Sequence, residues 1–469
     1  MQLKVLDDEI AQPKARIHSL KKGKAGLAKC RGLHRAFLAP VQKLAHVQKL
    51  PPEILGQVFI QCLLAAREEE LKDNDVRLRL LQVCQRWRRT ALGTPGLWTI
   101  LMINSVRGES YDLLQICLDN SGYLPIRVQI FYHIDEGSAA IRLLLDNFHR
   151  IGEYVGLSNC LLREILRRGL ILQTPLLKMV HLVEDGLKGL PRCSPEDLIR
   201  LENIIQAPPI EFLWLDGCAS LLSLFCRNPG KLQGLRIEEA EDSDLYMLLD
   251  ILPFSSSLRL LDIHLPRHMA AIRQDVGLIT LPLLRSLSVQ GRPKHISRFL
   301  AVLDVPTLDC LTLSVGLREG DATLWIPIQS FPQGDPPPLR CLTLKNISLG
   351  QGFVDFVSRL PHLNNLQLDE CCISAEHLGV FILDLHIPHG NMICPRLATL
   401  GLNGIFPGEV FVQVVQSRAP LLGVPWENRC LRFVKAFHWR LEECRVALEN
   451  IREACGGRLT LDLHPCLHT

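Results

Sequence analysis

The chain has 469 residues, 47% of them hydrophobic and 22% charged, which fits a globular protein of two to four domain units with a sizeable core. Lys and Arg number 52 against 49 Asp and Glu, and a net charge of +3 excludes a polyanion binder that uses its whole surface. Leucine alone contributes 88 residues. The opening, Met1 to Ile10, lacks the apolar core of a secretory signal, and no run of about 18 uncharged apolar residues occurs. The expectation is an intracellular protein, cytoplasmic and/or nuclear, with no membrane association. Seventeen cysteines are scattered from Cys30 to Cys466 with no Cys-x-x-Cys pair, so they read as reduced thiols packed as small hydrophobes rather than a disulfide framework or metal centre.

Residues 1–46 read as a basic, partly helical arm. Eleven Lys or Arg stand against three acids over residues 1–50. Leu3, Leu6, Ile10, Ile17, Leu20 and Leu27 fall on a heptad seam, but Pro13 occupies one seam position and Gly23 and Gly26 interrupt the last turns, so a broken helix is predicted. Eight basic residues between Lys14 and Arg35, with no acid among them, make a solvated basic face; a nuclear signal or phosphate contact is the other reading.

Residues 47–98 carry short helices. Proline at Pro51 and Pro52 opens a helix with Ile54, Leu55, Val58, Phe59 and Cys62 on one stripe. Past a charged stretch from Arg67 to Asp75, a second helix places Leu80, Cys84, Trp87 and Ala91 at i, i+4, i+7 and i+11, and Gly93-Thr94-Pro95 stops it. Fifty residues this apolar cannot easily bury all of it among themselves, so a partner is expected.

The rest reads as repeats. Leu-x-x-Leu-x-Leu units, with aliphatic substitutes, begin at Leu177, Ile210, Leu232, Leu258, Leu284, Leu308, Leu339, Leu363 and Leu397, and most spacings fall in the leucine-rich-repeat range. Each unit is expected to point its leucines inward from a short strand and cross back as a helix or turn. The consensus Asn or Cys after the strand occurs as Cys218 and Cys371, with Ala240, Ile347 and Ile405 in that place elsewhere. Longer gaps imply insertions, such as Gly316 to Pro338. Residues 99–175 connect to these repeats and begin the same architecture in degraded form, with a helix at Tyr111, Leu114, Ile116 and Leu118 and a strand at Ile126, Val128 and Ile130. Residues 176–469 form the array, closed by one long helix carrying Leu431, Val434, Leu441, Cys444, Leu448, Ile451 and Cys455, then a strand of Leu459, Leu461 and Leu463. The predicted fold class is therefore α/β, a small all-α unit ahead of a leucine-lined solenoid with a curved parallel sheet.

Catalytic and metal motifs are missing: no Gly-x-x-x-x-Gly-Lys, Gly-x-Gly-x-x-Gly, Gly-x-Ser-x-Gly or His-Glu-x-x-His occurs. His264 and His268 are separated by Pro266, and His386 and His389 flank Pro388, so both pairs read as loop histidines. The acidic run Glu238 to Asp244 reads as a solvated loop, with substrate contact as the alternative. Trp214, Trp325, Trp426 and Trp439 share no spacing and read as packing residues. No enzyme activity and no cofactor are expected.

Three segments in order resemble the F-box of fungal type: Leu50-Pro51-Pro52-Glu53-Ile54-Leu55, Val83-Cys84-Gln85-Arg86-Trp87-Arg88 and Thr94-Pro95-Gly96-Leu97-Trp98. The irregular repeats behind them are similar to the degenerate leucine-rich repeats that follow F-boxes. The resemblance covers 49 residues of the motif and extends into the repeat spacing; the charged stretch around Glu68-Glu69-Glu70 departs from the pattern. It implies a substrate receptor of an SCF-type ubiquitin ligase, which docks a Skp-type adaptor and, through it, the cullin and RING subunits, while the repeats hold an unknown protein substrate. Carried over by position, the adaptor-binding residues are Leu50, Pro51, Ile54, Leu55, Val58, Phe59, Val83, Cys84, Trp87, Leu97 and Trp98, shared between the interface and the unit's own core. In the array, exposed positions such as Thr312, Thr343 and Gln367 would face the substrate. Alternatives are a repeat scaffold without a ubiquitination role and a nuclear, nucleic-acid-associated protein using the basic arm, though the charge balance points away from nucleic acid.

Overall fold

A computed structural model of the chain describes Lys24 and residues 49–68, 73–103, 109–130, 138–169, 171–184, 194–206, 208–266, 277–316, 337–382, 393–420, 431–437, 441–456 and 458–464. The chain divides into two compact units, one running to Trp98 and including residues 118–122, the other holding the remainder.

The first unit contains helices α1 (Pro52–Glu68), α2 (Asp73–Val83) and α3 (Gln85–Leu92), then a single 3-10 turn at Pro95–Trp98. Proline starts α1 because its missing N–H would have no helical acceptor there, and the first intrahelical bond runs from the Leu55 N–H to the Pro51 carbonyl at 3.0 Å. Leu55, Phe59 and Leu63, spaced i, i+4, i+8, form the buried stripe. The second helix of the sequence reading is two helices. The chain breaks at Cys84, which is fully extended (φ −161°, ψ 170°) and caps α3 by accepting the Trp87 N–H at its thiol, so Leu80 lies on α2 while Trp87 and Ala91 lie on α3. A close backbone approach joins α1 to the turn after α3: a Cβ on Gly56 would stand 2.7 Å from the Thr94 hydroxyl oxygen.

The second unit is a parallel α/β assembly. Its strands are β1 (Ile100–Ile103), β2 (Ile126–Ile130), β3 (Ile151–Leu157), β4 (Met179–Val183), β5 (Phe212–Asp216), β6 (Gly234–Glu238), β7 (Leu260–His264), β8 (Ile279–Thr280), β9 (Ser286–Gly291), β10 (Leu303–Asp304), β11 (Cys310–Val315), β12 (Cys341–Lys345), β13 (Ser348–Leu349), β14 (Asn365–Ile373), β15 (Thr399–Ile405), β16 (Phe433–Phe437) and β17 (Thr460–His464). Fifteen of them make one sheet whose neighbours follow chain order from β1 to β17, with β13 paired to β14; β8 and β10 pair separately. Every pairing is parallel, and helices or turns return the chain between strands. The segment at 99–175 joins this same sheet, with helix α4 (Glu109–Asn120) and β2 where the sequence placed a helix and a strand.

Register aligns the leucines. Leu213, Leu235, Leu261, Leu287, Leu311, Leu342, Leu366 and Leu400 are successive partners across eight strands and all are buried. Because side chains alternate across a strand, the next inward row, Leu215 to Leu402, follows two residues on, and the residues between face outward. All nine repeat-opening residues, Leu177 to Leu397, are buried as well.

Three strand ends and one strand interior share a turn. Gly217, Glu239 and Asn346 after β5, β6 and β12, and Glu370 within β14, take left-handed backbone (φ 53° to 73°) and turn the next residue, Cys218, Ala240, Ile347 or Cys371, inward. Cys218 and Cys371 donate their thiols to the preceding strand's leucine carbonyl, Leu182 and Leu344, each at 3.4 Å. Ile405 breaks this pattern: it is 65% exposed and Phe406 is buried instead. Glu370 is an extra residue on β14 in the β14–β15 ladder, so the pairing skips from Asp369 to Cys371 and the parity of β14 shifts, whereas β15 keeps its alternation and leaves Ile405 outward. Gly404 (φ 134°) accommodates the bulge, and a Cβ there would lie 2.4 Å from the Cys371 carbonyl oxygen. Gly404→Ala is expected to destabilise the protein by at least about 2 kcal/mol, read as a lower urea midpoint at unchanged slope.

Two further expectations are corrected. Leu431 and Val434 do not belong to the last helix: Leu431 precedes β16 and Val434 lies within it, where buried Val434 and Ala436 alternate with Phe433 and Lys435 at a strand period, and the helix is Leu441–Ala454. Glu238 to Asp244 is the end of β6 followed by a helix start, not a loop. Glu241 and Asp244 form a capping box on the helix Asp242–Ile251, where carboxylates meet unpaired N–H groups and the positive dipole end.

Candidate functional site

The eleven positions expected to bind an adaptor separate by burial. Leu55, Phe59, Leu97 and Trp98 are at most 1% exposed, so they are the core of the first unit and offer no surface to a partner. The reason is phase: on α1 the inward stripe Leu55–Phe59–Leu63 leaves Ile54, Val58 and Cys62, each one residue earlier, turned to solvent. Phe59 packs against Trp87 with ring centroids 4.9 Å apart and planes tilted by 53°. Trp98 donates its indole N–H to the Ala91 carbonyl at 2.8 Å, which satisfies the one polar group a buried tryptophan carries.

The outward members are Pro51, Ile54, Val58, Val83 and Cys84, all exposed, with Leu50 and Trp87 half-buried. Ile54 is 50% exposed and Val58 42%, one helical turn apart on α1, and Val83 is 40% exposed at the end of α2. The Arg86 guanidinium bonds the Leu50 carbonyl and so ties the segment ahead of α1 to α3. Sequence reasoning missed three exposed apolar residues, Leu64 on α1, Leu78 on α2 and Leu92 on α3. Leu78 is turned out because Arg77 beside it is turned in. Arg77 is 1% exposed and its guanidinium donates to the Leu97 carbonyl at 3.0 Å. Six large aliphatic side chains thus face solvent on three helices that already have a closed core.

The outward face of the sheet in the second unit is a different surface, set by register. His181, Trp214, Arg236, Asp262, Ser288, Thr312, Thr343 and Gln367 are successive partners along it. Near its start the row is charged and aromatic. His181 Nε2 lies 2.7 Å from Asp216 Oδ2, and its ring meets Trp214 edge-on at 5.3 Å. Burial works to lower the Arg236 guanidinium, but Glu238, Asp262 and Asp216 outweigh it and hold it above its ordinary value. Asp216 also acts inward: burial first, then the charges of Asp216 and Glu184, push the Cys218 thiol up. Burial likewise pushes Cys371 up to about 12, so these two cysteines are protonated packing groups at neutral pH. Thr312, Thr343 and Gln367 are half-buried on this face.

Of the tryptophans outside the first unit, Trp214 lies on the outward sheet face; Trp325, Trp426 and Trp439 lie outside the described residues, as do His268, His386, His389 and the basic arm apart from an exposed Lys24. His264 ends β7. Among the described residues no group of three or more His, Cys, Asp or Glu is placed to hold a metal ion, and no helix is long and apolar enough to cross a membrane. No protein-family model matches the chain, and no curated protein matches it.

Proposed function

We propose that the chain is the substrate receptor of an SCF-type ubiquitin ligase, its helical unit an F-box that docks a Skp-type adaptor and its sheet unit a leucine-rich-repeat solenoid that holds the protein to be ubiquitinated. The observation that carries this reading is the apolar surface of Ile54, Val58 and Val83, left outside a core that Leu55, Phe59, Leu97 and Trp98 already fill. A helix pair with an aliphatic stripe of this kind fits a complementary groove on another chain. The in-register leucine rows support the repeat half of the reading, because each strand and return segment buries its face only against its neighbours. On this reading the chain supplies no catalytic group; it raises the local concentration of substrate lysines near a charged conjugating enzyme.

The test is affinity purification of the full chain and of a version lacking residues 47–98. The full chain is expected to recover adaptor and cullin together, and the shortened one neither. Adaptor without cullin or ubiquitinated partners would assign the chain to a scaffold outside ubiquitination. Equal recovery with both versions would contradict the docking assignment.

A further inference from the structure

Two half-exposed thiols stand side by side on the sheet. Cys310 opens β11 and Cys341 opens β12, and the two are direct register partners on adjacent parallel strands. Their following residues, Leu311 and Leu342, are buried, so both cysteines belong to the outward face, where each is half-buried. Adjacent strands run about 4.8 Å apart, inside the Cα separation of about 4.4–6.8 Å that a disulfide spans, and in-register side chains of a parallel pair project the same way. Among the described strands no other register pair joins two cysteines: Cys371 and Cys372 face Gly404 and Ile405, and Cys371 is engaged with the Leu344 carbonyl.

We propose that Cys310 and Cys341 are an oxidisable dithiol that closes to a cross-strand disulfide with hydrogen peroxide as the oxidant. Burial first, then its neighbour Cys341, push the Cys310 thiol up to about 12, so Cys310 is assigned the second step and Cys341 the first. The Cys341 sulfur attacks one peroxide oxygen, the O–O bond breaks, and the thiol proton leaves with the departing hydroxide as water, giving a sulfenic acid. The Cys310 sulfur then displaces the sulfenic hydroxyl, which departs as a second water with the Cys310 proton, and the S–S bond forms. Two thiols lose two electrons and one peroxide gains them. Because parallel side chains stand nearly as far apart as their strands, wider than the mean Cβ separation of about 3.8 Å in disulfides, the closed bond is strained and yields readily to thiol reductants. It would tie together the strands that present Thr312 and Thr343; that consequence for substrate contact rests on the receptor reading, whereas the oxidation itself does not.

The experiment is mass spectrometry of the native full chain treated with hydrogen peroxide, alkylated and digested. The expected product is one peptide pair joined through Cys310 and Cys341 and separated again by dithiothreitol. Cys310→Ser should stop at a dimedone-reactive sulfenic acid on Cys341, Cys341→Ser should give neither product, and Cys372→Ser should leave the bond intact. Recovery of Cys310 and Cys341 as alkylated thiols overturns the proposal, as does a bond from Cys341 to any other cysteine. Adaptor capture, measured on the same preparations, reports on the receptor reading separately.

Discussion

Phe59→Ala should unfold the helical unit rather than merely weaken a contact. The side chain is fully buried and packs against Trp87, so truncation removes its transfer free energy and leaves a cavity at the junction of α1 and α3. Such changes cost about 3–5 kcal/mol. For a unit of some fifty residues with a small core, that is most or all of its stability. Limited proteolysis should therefore show rapid cleavage between residues 52 and 98 while the sheet unit stays resistant. Ile54→Glu combined with Val58→Glu is the contrasting change. Both positions are 42% exposed or more, so two charges there leave the core untouched and the unit folded. Loss of adaptor capture in the phenylalanine variant would follow from unfolding; in the double variant it would report on the surface alone.

The second large effect belongs to Arg418, near the end of the helix Gly408–Arg418. It is 1% exposed and its guanidinium donates to three main-chain carbonyls: Phe381 at 2.5 Å, Cys394 at 2.7 Å and Ile393 at 2.6 Å. The residues that accept these bonds lie 24 to 37 positions earlier in the chain, so one side chain fixes the segments on both sides of residues 383–392. Methionine fills similar volume but donates nothing, which leaves the carbonyls buried without those partners. Hydrogen bonds to a charged group contribute roughly 1.5–3 kcal/mol each, offset in part by the desolvation of the guanidinium. Arg418→Met is expected to lower stability by about 3 kcal/mol or more, and lysine, which lacks the planar fork, should not restore it. Denaturant unfolding of both variants measures this; an unchanged midpoint would contradict the assigned role.

How much was legible in the sequence follows from the physics of each element. The sheet was readable because a strand's period is two and a leucine at every second position has only one face to bury. Cys218 and Cys371 could be placed because the residue that follows the left-handed turn points inward and takes an apolar group, as Ala240 and Ile347 also do. The break at Cys84 was hidden: no proline or glycine marks it, and a helical period of apolar residues runs straight through from Leu80 to Ala91. Arg77 was hidden for a related reason. Periodicity assigns arginine to solvent, whereas its buried guanidinium meets the Leu97 carbonyl, twenty residues on. Ile405 turned outward because β15 keeps its period of two from Leu400 and Leu402, without the inserted left-handed residue that turns Cys218, Ala240, Ile347 and Cys371 inward. In the candidate docking surface the residue types were visible, but which of Ile54 or Leu55, and Val58 or Phe59, turned inward was a matter of a 100° rotation that the apolar pattern left open.

The most direct measurement is a titration of the purified full chain with a purified Skp-type adaptor, comparing the natural sequence with Ile54→Glu/Val58→Glu. The natural chain should bind, and the folded double variant should lose at least about 2–3 kcal/mol, a hundredfold or so in Kd, because two carboxylates would have to be desolvated in an apolar groove. Equal affinity for the two proteins would show that these side chains are no docking surface.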